Sequence, residues 1–269
     1  MSVEGAVPAD GHLGAILYGK SAVNQIRMEE GRSLFSVFRK FDPDWAMVEI
    51  NTADLRNPSR LPDFAEDYRS LREIYNYGAR FISPMAWNGS RGTFAGQPGF
   101  VAYTALRNSP LEDAIKSFMI SHANLPRRSR LWTFGAEEIA DSDGWIPSTG
   151  TQGAIGHGIF TLRTNSDGYG ALESPDDLSF RPADYRAIII KARDSGALQS
   201  IRVEAQRENG EWLQILPMTE AAKLQQVKGG MLLPLSGPGT DTEFQRIRLI
   251  WKTSSAVPLE LERIAFYAR

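Results

Sequence analysis

The spacing of apolar residues changes near residue 125, and this change limits what the chain can fold into. Before it, short apolar runs alternate with longer segments whose apolar residues recur at intervals of three and four. After it, only short β-type runs remain, separated by turn signals. The pattern predicts an α/β region followed by an all-β region. Since 269 residues suffice for two domains, we expect domains over residues 1–125 and 126–269.

The first region predicts six elements in the order β-α-β-α-β-α. Ser21 and Ser109 are N-cap residues, and Gly78 is a helix C-terminal signal. Regular alternation favours a parallel sheet covered by helices. No G-x-G-x-x-G motif follows the first strand, so dinucleotide binding has no support. The expected strands are 13–19, 44–51 and 79–87, and the expected helices are 21–41, 61–78 and 109–123.

The second region predicts an antiparallel β-sandwich of the jelly-roll type. Apolar and polar residues alternate over 201–206 and 259–267, as they do in half-buried strands. The segment 221–229 is either a helical turn or a long loop. The expected strands are 158–164, 185–193, 199–207, 211–218, 230–236, 244–252 and 259–268.

Composition excludes several classes of partner. The net charge of −2 gives no general attraction to nucleic acid or to anionic membranes. The basic run Arg127, Arg128 and Arg130 is interpreted as a solvated linker. No apolar run approaches the roughly 20 residues of a membrane span. We therefore expect neither a nucleic-acid partner nor a membrane-spanning segment.

The sequence predicts no metal and no cofactor. The three histidines are scattered, without a pair at metal-ligand spacing, and the chain has no cysteine. Asp141, Asp143 and Asp167 have the oxygen ligands that Ca²⁺ prefers, but their spacing is not that of an EF-hand. We therefore favour the interpretation that these residues lie in solvated loops over Ca²⁺ binding.

The cellular location is left open by the first residues. The segment 1–12 lacks the basic start and apolar stretch of a signal peptide. Either the protein stays inside the cell, or an export signal has been removed. In the second case the protein is secreted or periplasmic.

Two strand ends in the first region resemble those of a known enzyme class. "WAMVEIN" (45–51) puts Glu49 late in a strand, and "FISPMAW" (81–87) ends the next strand on Trp87 before a polar, glycine-rich loop. This order resembles the last strands of clan A glycoside hydrolases, which are (β/α)₈ barrels, with residues 13–123 matching the last three βα units. The resemblance implies that Glu49 is the nucleophile and Trp87 the floor of the sugar site.

The chemistry of sugar cleavage suits these residue types. A carboxylate stabilises or traps the positive charge that develops at the ring carbon, and a flat aromatic ring packs on the apolar face of a pyranose. Tyr18 is a third candidate at the rim, and Asn51 and Asn88 are candidates for binding hydroxyls. The alternatives are an ion-paired surface position for Glu49 and a core position for Trp87.

Three βα units supply only half of a barrel. A retaining glycosidase also needs an acid/base carboxylate. In the resembled family this residue is on the fourth strand, which has no counterpart here, so enzymatic activity is left open. We expect the missing N-terminal half to come from the same protein or from a second chain. The alternatives are a smaller three-layer α/β sheet and a relative that binds sugar without cleaving it.

The second region resembles the galactose-binding-like β-sandwich modules attached to sugar enzymes. The resemblance rests on "DSDGW" (141–145), on residues 173–193 and on the closing strands. It implies a carbohydrate-binding module, with Trp145 and Tyr169, in Gly/Asp-rich loops, as sugar contacts. Trp251 is interpreted as core, and Trp212 as either core or surface.

Together the two regions predict a carbohydrate-active protein. The main interpretation is part of a retaining glycoside hydrolase acting on a poly- or oligosaccharide, with an attached carbohydrate-binding module. The alternative is a non-catalytic glycan-binding or adaptor protein whose α/β part is only a scaffold.

Overall fold

The computed structural model describes residues 11–18, 34–51, 64–84, 110–134, 142, 144–175, 178–235, 241–254 and 257–269. The chain divides into two compact units, Met1–Asn124 and Leu125–Arg269. No described helix is both long enough and apolar enough to pass through a membrane.

The described residues of the first unit form a three-stranded parallel sheet and three helices. The strands lie side by side in chain order. The predicted βαβαβα alternation is therefore present, whereas a half barrel is not confirmed. Residues 19–33 and 85–109 lie outside the described part, including the first half of the helix predicted over 21–41. The elements are β1 (Gly14–Tyr18), α1 (Leu34–Phe41), β2 (Ala46–Asn51), α2 (Phe64–Asn76), β3 (Ile82–Pro84) and α3 (Pro110–His122).

Aromatic residues form the core between this sheet and its helices. Phe35 of α1 stacks on Trp45 at 5.4 Å between ring centroids, and both side chains are fully buried. The indole Nε1 of Trp45 donates a hydrogen bond to the carbonyl oxygen of Tyr77 at 3.1 Å. The only polar atom of this large side chain is thereby satisfied, which allows complete burial.

The second unit is an antiparallel β-sandwich, as the sequence predicts. One sheet has five strands in the order β11-β10-β14-β8-β5. The other has the order β12-β13-β9-β15-β7-β6, and β4 also pairs with β15. The strands are β4 (Arg130–Thr133), β5 (Ile146–Ser148), β6 (Gln152–Gly156), β7 (Ile159–Arg163), β8 (Tyr169–Glu173), β9 (Tyr185–Ala192), β10 (Leu198–Gln206), β11 (Trp212–Glu220), β12 (Gln225–Val227), β13 (Gly230–Pro234), β14 (Arg246–Thr253) and β15 (Leu259–Ala268).

Alternate residues of the long strands fill the space between the two sheets. On β14, Ile247, Leu249 and Trp251 are at most 1% exposed, while the residues between them are partly exposed. This confirms the prediction that Trp251 belongs to the core. Gly170 pairs with Trp251 across the β8–β14 ladder. A Cβ atom on Gly170 would lie 2.6 Å from the indole, so only glycine fits beneath this ring.

The structure differs from the predictions in the short strands and in Arg130. Strands β4, β5, β6, β8 and β12 were not predicted, and the undecided segment 221–229 forms a 3₁₀ turn followed by β12. Arg130 is not solvated as predicted, because it is 1% exposed within β4. Its Nη2 donates to the carbonyl oxygen of Ser179 at 3.0 Å, and its guanidinium lies over the ring of Tyr185.

Candidate functional site

The predicted catalytic strand ends lie at one edge of the parallel sheet. Glu49 is the fourth residue of β2, and Asn51 is its last. Tyr18 ends β1 and pairs with Asn51, while Glu49 pairs with Ile16. Carboxyl ends of neighbouring parallel strands share one edge, the edge at which barrel enzymes form their active sites. Trp87 and Asn88 lie outside the described residues.

Strand β2 carries a bulge immediately before Glu49. From Met47, two steps along β2 correspond to one step along β1. On the other side, three steps along β2 correspond to two along β3, where Ile50 pairs with Pro84. One extra residue is therefore inserted in β2 relative to both neighbours. Bulges are common beside functional sites because they re-aim the following side chains.

Trp145 does not form an exposed sugar platform as predicted. It is 1% exposed, and its ring packs edge-on against Trp132 at 5.5 Å between centroids. A loop residue can still enter the core when its loop closes one end of a sandwich. Trp145 is therefore a core residue and offers no ring to a ligand.

The outward surface of the five-stranded sheet carries an array of polar and aromatic side chains. On β10 and β14, alternate residues point into the core and the others point outward. We call the outward surface of β8, β10, β11 and β14 the polar face. It is formed by Tyr169 and Glu173 on β8, Arg202, Glu204 and Gln206 on β10, Trp212, Gln214 and Glu220 on β11, and Arg246, Arg248, Ile250 and Lys252 on β14.

Two glutamates and three arginines form a connected ion-pair network across the polar face. Arg248 lies between Glu204 and Glu173, with Nε 3.1 Å from one carboxylate and Nη1 3.6 Å from the other. Arg202 reaches Glu204 at 3.0 Å, and Arg246 reaches Glu173 at 3.4 Å. Because the glutamate side chains are only 12% and 19% exposed, these pairs are screened less by solvent than ordinary surface pairs.

Each aromatic ring of the polar face is held by a cation from β14. The guanidinium carbon of Arg248 lies 4.2 Å from the ring centroid of Trp212, and Nζ of Lys252 lies 5.4 Å from that of Tyr169. Both distances allow cation–π attraction. Tyr169 is 40% exposed and Trp212 is partly exposed. The rings are therefore positioned before any ligand arrives.

The two rings mark opposite corners of the polar face. Tyr169 pairs with Lys252, near the end of β14. Trp212 pairs with Gln206, which pairs with Arg246 at the start of β14. Three strand spacings and six residue steps separate them, or about 14 Å across the strands and about 20 Å along them. This span suits an extended ligand better than a small molecule.

Metal binding finds no support in the described part of the chain. No group of three or more His, Asp or Glu side chains there is arranged to hold an ion. Asp167 is exposed in the turn before β8, where its amide donates to the Oδ1 of Asn165 at 3.1 Å. Asp141 and Asp143 lie outside the described residues.

The charged members of the polar face were missed in the sequence, although a signal was present. In "RIRLIWK" (246–252), charged residues alternate with the core residues Ile247, Leu249 and Trp251. The same alternation puts Arg202 and Glu204 on one side of β10. What the pattern lacked was the strand order, which alone shows that these two rows lie side by side.

Solved structures with a similar arrangement include several carbohydrate-binding modules. A low-affinity xylan-binding module, CBM86 from Roseburia intestinalis, shares 11% identity, with a TM-score of 0.36 over 52% of this chain and 96% of that one. CpGH89CBM32-6 from Clostridium perfringens shares 12% identity, with a TM-score of 0.31 over 48% of this chain and 98% of that one. A mutant of CBM29-2 complexed with cellulohexaose shares 11% identity, with a TM-score of 0.32 over 51% of this chain and 90% of that one.

Similarity at this level is too weak to assign a ligand or an activity. No protein-family model matches the chain, and its sequence has no significant match among curated proteins. The function must therefore be inferred from the two candidate sites themselves.

Proposed function

We propose that the protein binds carbohydrate through the polar face. The observation that carries the proposal is the combination of one exposed and one partly exposed aromatic ring with a fixed network of arginine and glutamate on one sheet surface. A pyranose has an apolar C–H face and a rim of hydroxyl groups. The aromatic rings can pack against the C–H face. The guanidinium donors and carboxylate acceptors can form hydrogen bonds with the hydroxyl groups.

The ion pairs favour binding because they fix the side chains beforehand. Arginine and glutamate lose rotamer entropy when a ligand orders them. In the polar face, Arg248 is already held by Glu173, by Glu204 and by the ring of Trp212. A hydroxyl group that binds there meets donors and acceptors that are already oriented. The ordering cost at binding is correspondingly small.

Titration calorimetry and affinity electrophoresis with soluble polysaccharides test this proposal. The panel should contain neutral glucans, xylans, mannans and galactans together with acidic polymers. Tyr169→Ala and Trp212→Ala are each expected to weaken binding by about 1–3 kcal/mol, the scale of lost aromatic contact. Tyr267→Ala is the matched control, because Tyr267 lies on β15 in the other sheet, outside the core cluster.

The outcomes separate a sugar site from a protein-binding surface. Loss of binding in both polar-face variants, with normal binding in the control, supports the proposal. If no polysaccharide binds, or if the control variant loses affinity equally, the proposal is wrong. The adaptor alternative then becomes the better explanation, since aromatic and arginine residues are also common at protein interfaces.

A second candidate function is glycoside hydrolysis at the parallel sheet. It is favoured by the bulge in β2 directly before Glu49, at the carboxyl edge shared with Tyr18. In this proposal Glu49 is the nucleophile, and Trp87 and the two asparagines at positions 51 and 88 contact the sugar. The acid/base carboxylate would come from a part of the enzyme with no counterpart in this chain.

Hydrolysis is tested with the longest form of the protein that contains this sequence. Glu49→Gln should abolish sugar release while binding by the polar face persists, because the transition state requires the full negative charge. Glu112→Gln, which removes a carboxylate paired with Lys116 on α3, is the control. Full activity in Glu49→Gln would exclude this role for Glu49.

A further inference from the structure

Positive charge exceeds negative charge on the polar face, although the whole chain has a net charge of −2. Its outward positions carry four basic side chains, Arg202, Arg246, Arg248 and Lys252, against three acidic ones, Glu173, Glu204 and Glu220. Glu173 and Glu204 are already paired with arginines, and Glu220 is paired with Lys223 of the following turn. The face therefore presents one positive charge in excess.

Among the described residues of the polar face, the basic residue beside Tyr169 is the one without a carboxylate partner. Lys252 has no carboxylate within 4.0 Å among the residues that the structure describes, and it packs against Tyr169 instead. Arg202 pairs with Ile250, which is two residues from Lys252. The two basic side chains are therefore diagonal neighbours on one face, about 7–8 Å apart at their Cα atoms.

Small side chains leave space around these two cations. Ser200 is the pairing partner of Lys252 on β10, and Ala171 is the partner of Ile250 on β8. Each of the two rows therefore contains one short side chain, and Tyr169, the β8 partner of Lys252, has 40% of its surface exposed. A sugar ring against Tyr169 can direct a substituent toward both cations.

We infer that the glycan is anionic, with a uronate carboxylate or a sulfate ester bound by Lys252 and Arg202 beside Tyr169. This inference rests on the proposed carbohydrate binding and narrows its ligand class. Charge-assisted hydrogen bonds from lysine and arginine to such groups are about twice as strong as neutral ones. A neutral polysaccharide would leave the excess charge unused.

The experiment compares polymers that share a backbone and differ in charge. Suitable pairs are polygalacturonate with its methyl ester, carboxymethylcellulose with hydroxyethylcellulose, and dextran sulfate with dextran. Affinity is measured for the wild type, for Lys252→Gln, for Arg202→Gln and for Arg186→Gln. The last is the matched control, because Arg186 is an exposed arginine on β9 in the other sheet.

We expect the charged member of at least one pair to bind at least about tenfold more tightly than its neutral partner. Lys252→Gln and Arg202→Gln should each remove most of this preference, and Arg186→Gln should keep it. Raising the salt concentration should weaken binding of the charged polymer, since the Debye length shortens. The carboxylate and sulfate pairs distinguish the two sources of negative charge.

Several results would overturn the inference, and each has a distinct meaning. Equal affinity for charged and neutral partners contradicts an anionic ligand and leaves the carbohydrate proposal standing. An equal loss in Arg186→Gln shows bulk electrostatic attraction and no specific site. Absence of binding to every polymer in both panels contradicts the carbohydrate proposal itself, and the inference fails with it.

Discussion

The guanidinium carbon of Arg248 lies 4.2 Å from the ring centroid of Trp212, while its nitrogens pair with Glu204 and Glu173. A single side chain of β14 thereby connects three other strands of the five-stranded sheet. Planar stacking and two separate carboxylate contacts are properties of arginine that lysine does not share. This geometry makes Arg248 the central residue of the polar face.

Arg248→Ala should lower the free energy of unfolding of the second unit by about 1–2 kcal/mol, because the cation–π contact and two shielded ion pairs are lost together. Arg248→Lys should recover at most half of this loss. Urea denaturation measures both. A double-mutant cycle with Trp212→Ala should give a coupling of about 0.5–1 kcal/mol for the stacked pair.

Arg207→Ala is the control for this series. Arg207 forms an exposed pair with Glu211 at 2.9 Å, with side chains 38% and 50% exposed. Such a pair contributes little to stability, so this variant should unfold like the wild type. Equal effects at Arg207 and Arg248 would show that the network adds nothing beyond ordinary surface charge.

Gly170→Ala should destabilise the sandwich by about 1–3 kcal/mol, the usual scale of overpacking. The added Cβ would lie 2.6 Å from the indole of Trp251, which is 1% exposed. Calorimetry should show a lower melting temperature. Trp251→Phe in the same background should restore part of the loss, because a smaller ring relieves the clash.

Gly156→Ala provides the matched comparison within the same sandwich. An added Cβ at this glycine of β6 meets no atom within 4 Å. Its melting temperature should equal or slightly exceed that of the wild type, since alanine restricts the unfolded chain. If both glycine variants lose stability equally, steric contact with Trp251 is not the cause.

Asp42→Ala should weaken the start of the parallel sheet. Burial raises the pKa of Asp42, but hydrogen bonds from the amides of Leu13 and Asp44 and from His12 outweigh burial and hold the pKa below its usual value. We expect the amide of Leu13 to exchange at least about tenfold faster with solvent in the variant. His12→Ala should change it less, because His12 is 54% exposed.

The long strands were predictable because their alternation is unambiguous. Residues 201–206 and 246–249 switch between apolar and polar at every step, and both segments lie in strands. Residues 152–156, "QGAIG", are mostly exposed in β6. Because neither face of this strand is buried, its sequence shows no alternation of apolar and polar residues. Strands of this kind form by pairing with a neighbour already in place, which local sequence does not encode.

Only those parts of the candidate site were predictable that could be recognised from a single residue and its neighbours in the sequence. Tyr169 was selected from its surroundings and lies on the polar face, where its sugar contact stays a prediction. Trp145 was selected by the same reasoning and is buried against Trp132. Burial of a loop aromatic depends on packing between distant segments. The network joining Glu173 of β8 to Arg248 of β14 likewise depends on strand order.

The first unit should lose stability in mild acid through His122. Burial lowers the pKa of His122 to about 4, with a contribution from the positive charge of Arg72. The ring lies 4.0 Å from Phe118 and 4.6 Å from Tyr75, between centroids. Its Nδ1 donates to the carbonyl oxygen of Phe118 at 2.8 Å, and its Nε2 is buried without a hydrogen-bond partner among the described residues.

The sign of the effect follows from which state binds the proton. The unfolded chain takes up a proton at His122 near pH 6.5, whereas the folded unit resists it until about pH 4. Stability is therefore fully present above pH 6.5 and falls as the pH drops through this window, by a total of about 3 kcal/mol. Hydrogen exchange of the α3 amides, measured between these pH values, should accelerate accordingly.

His122→Phe keeps an aromatic ring between Tyr75 and Phe118 and should remove most of this acid sensitivity. The control is His157→Asn, in an exposed turn, which should leave the acid sensitivity unchanged. Equal acid sensitivity in wild type and His122→Phe would show that another group controls the unfolding of this unit.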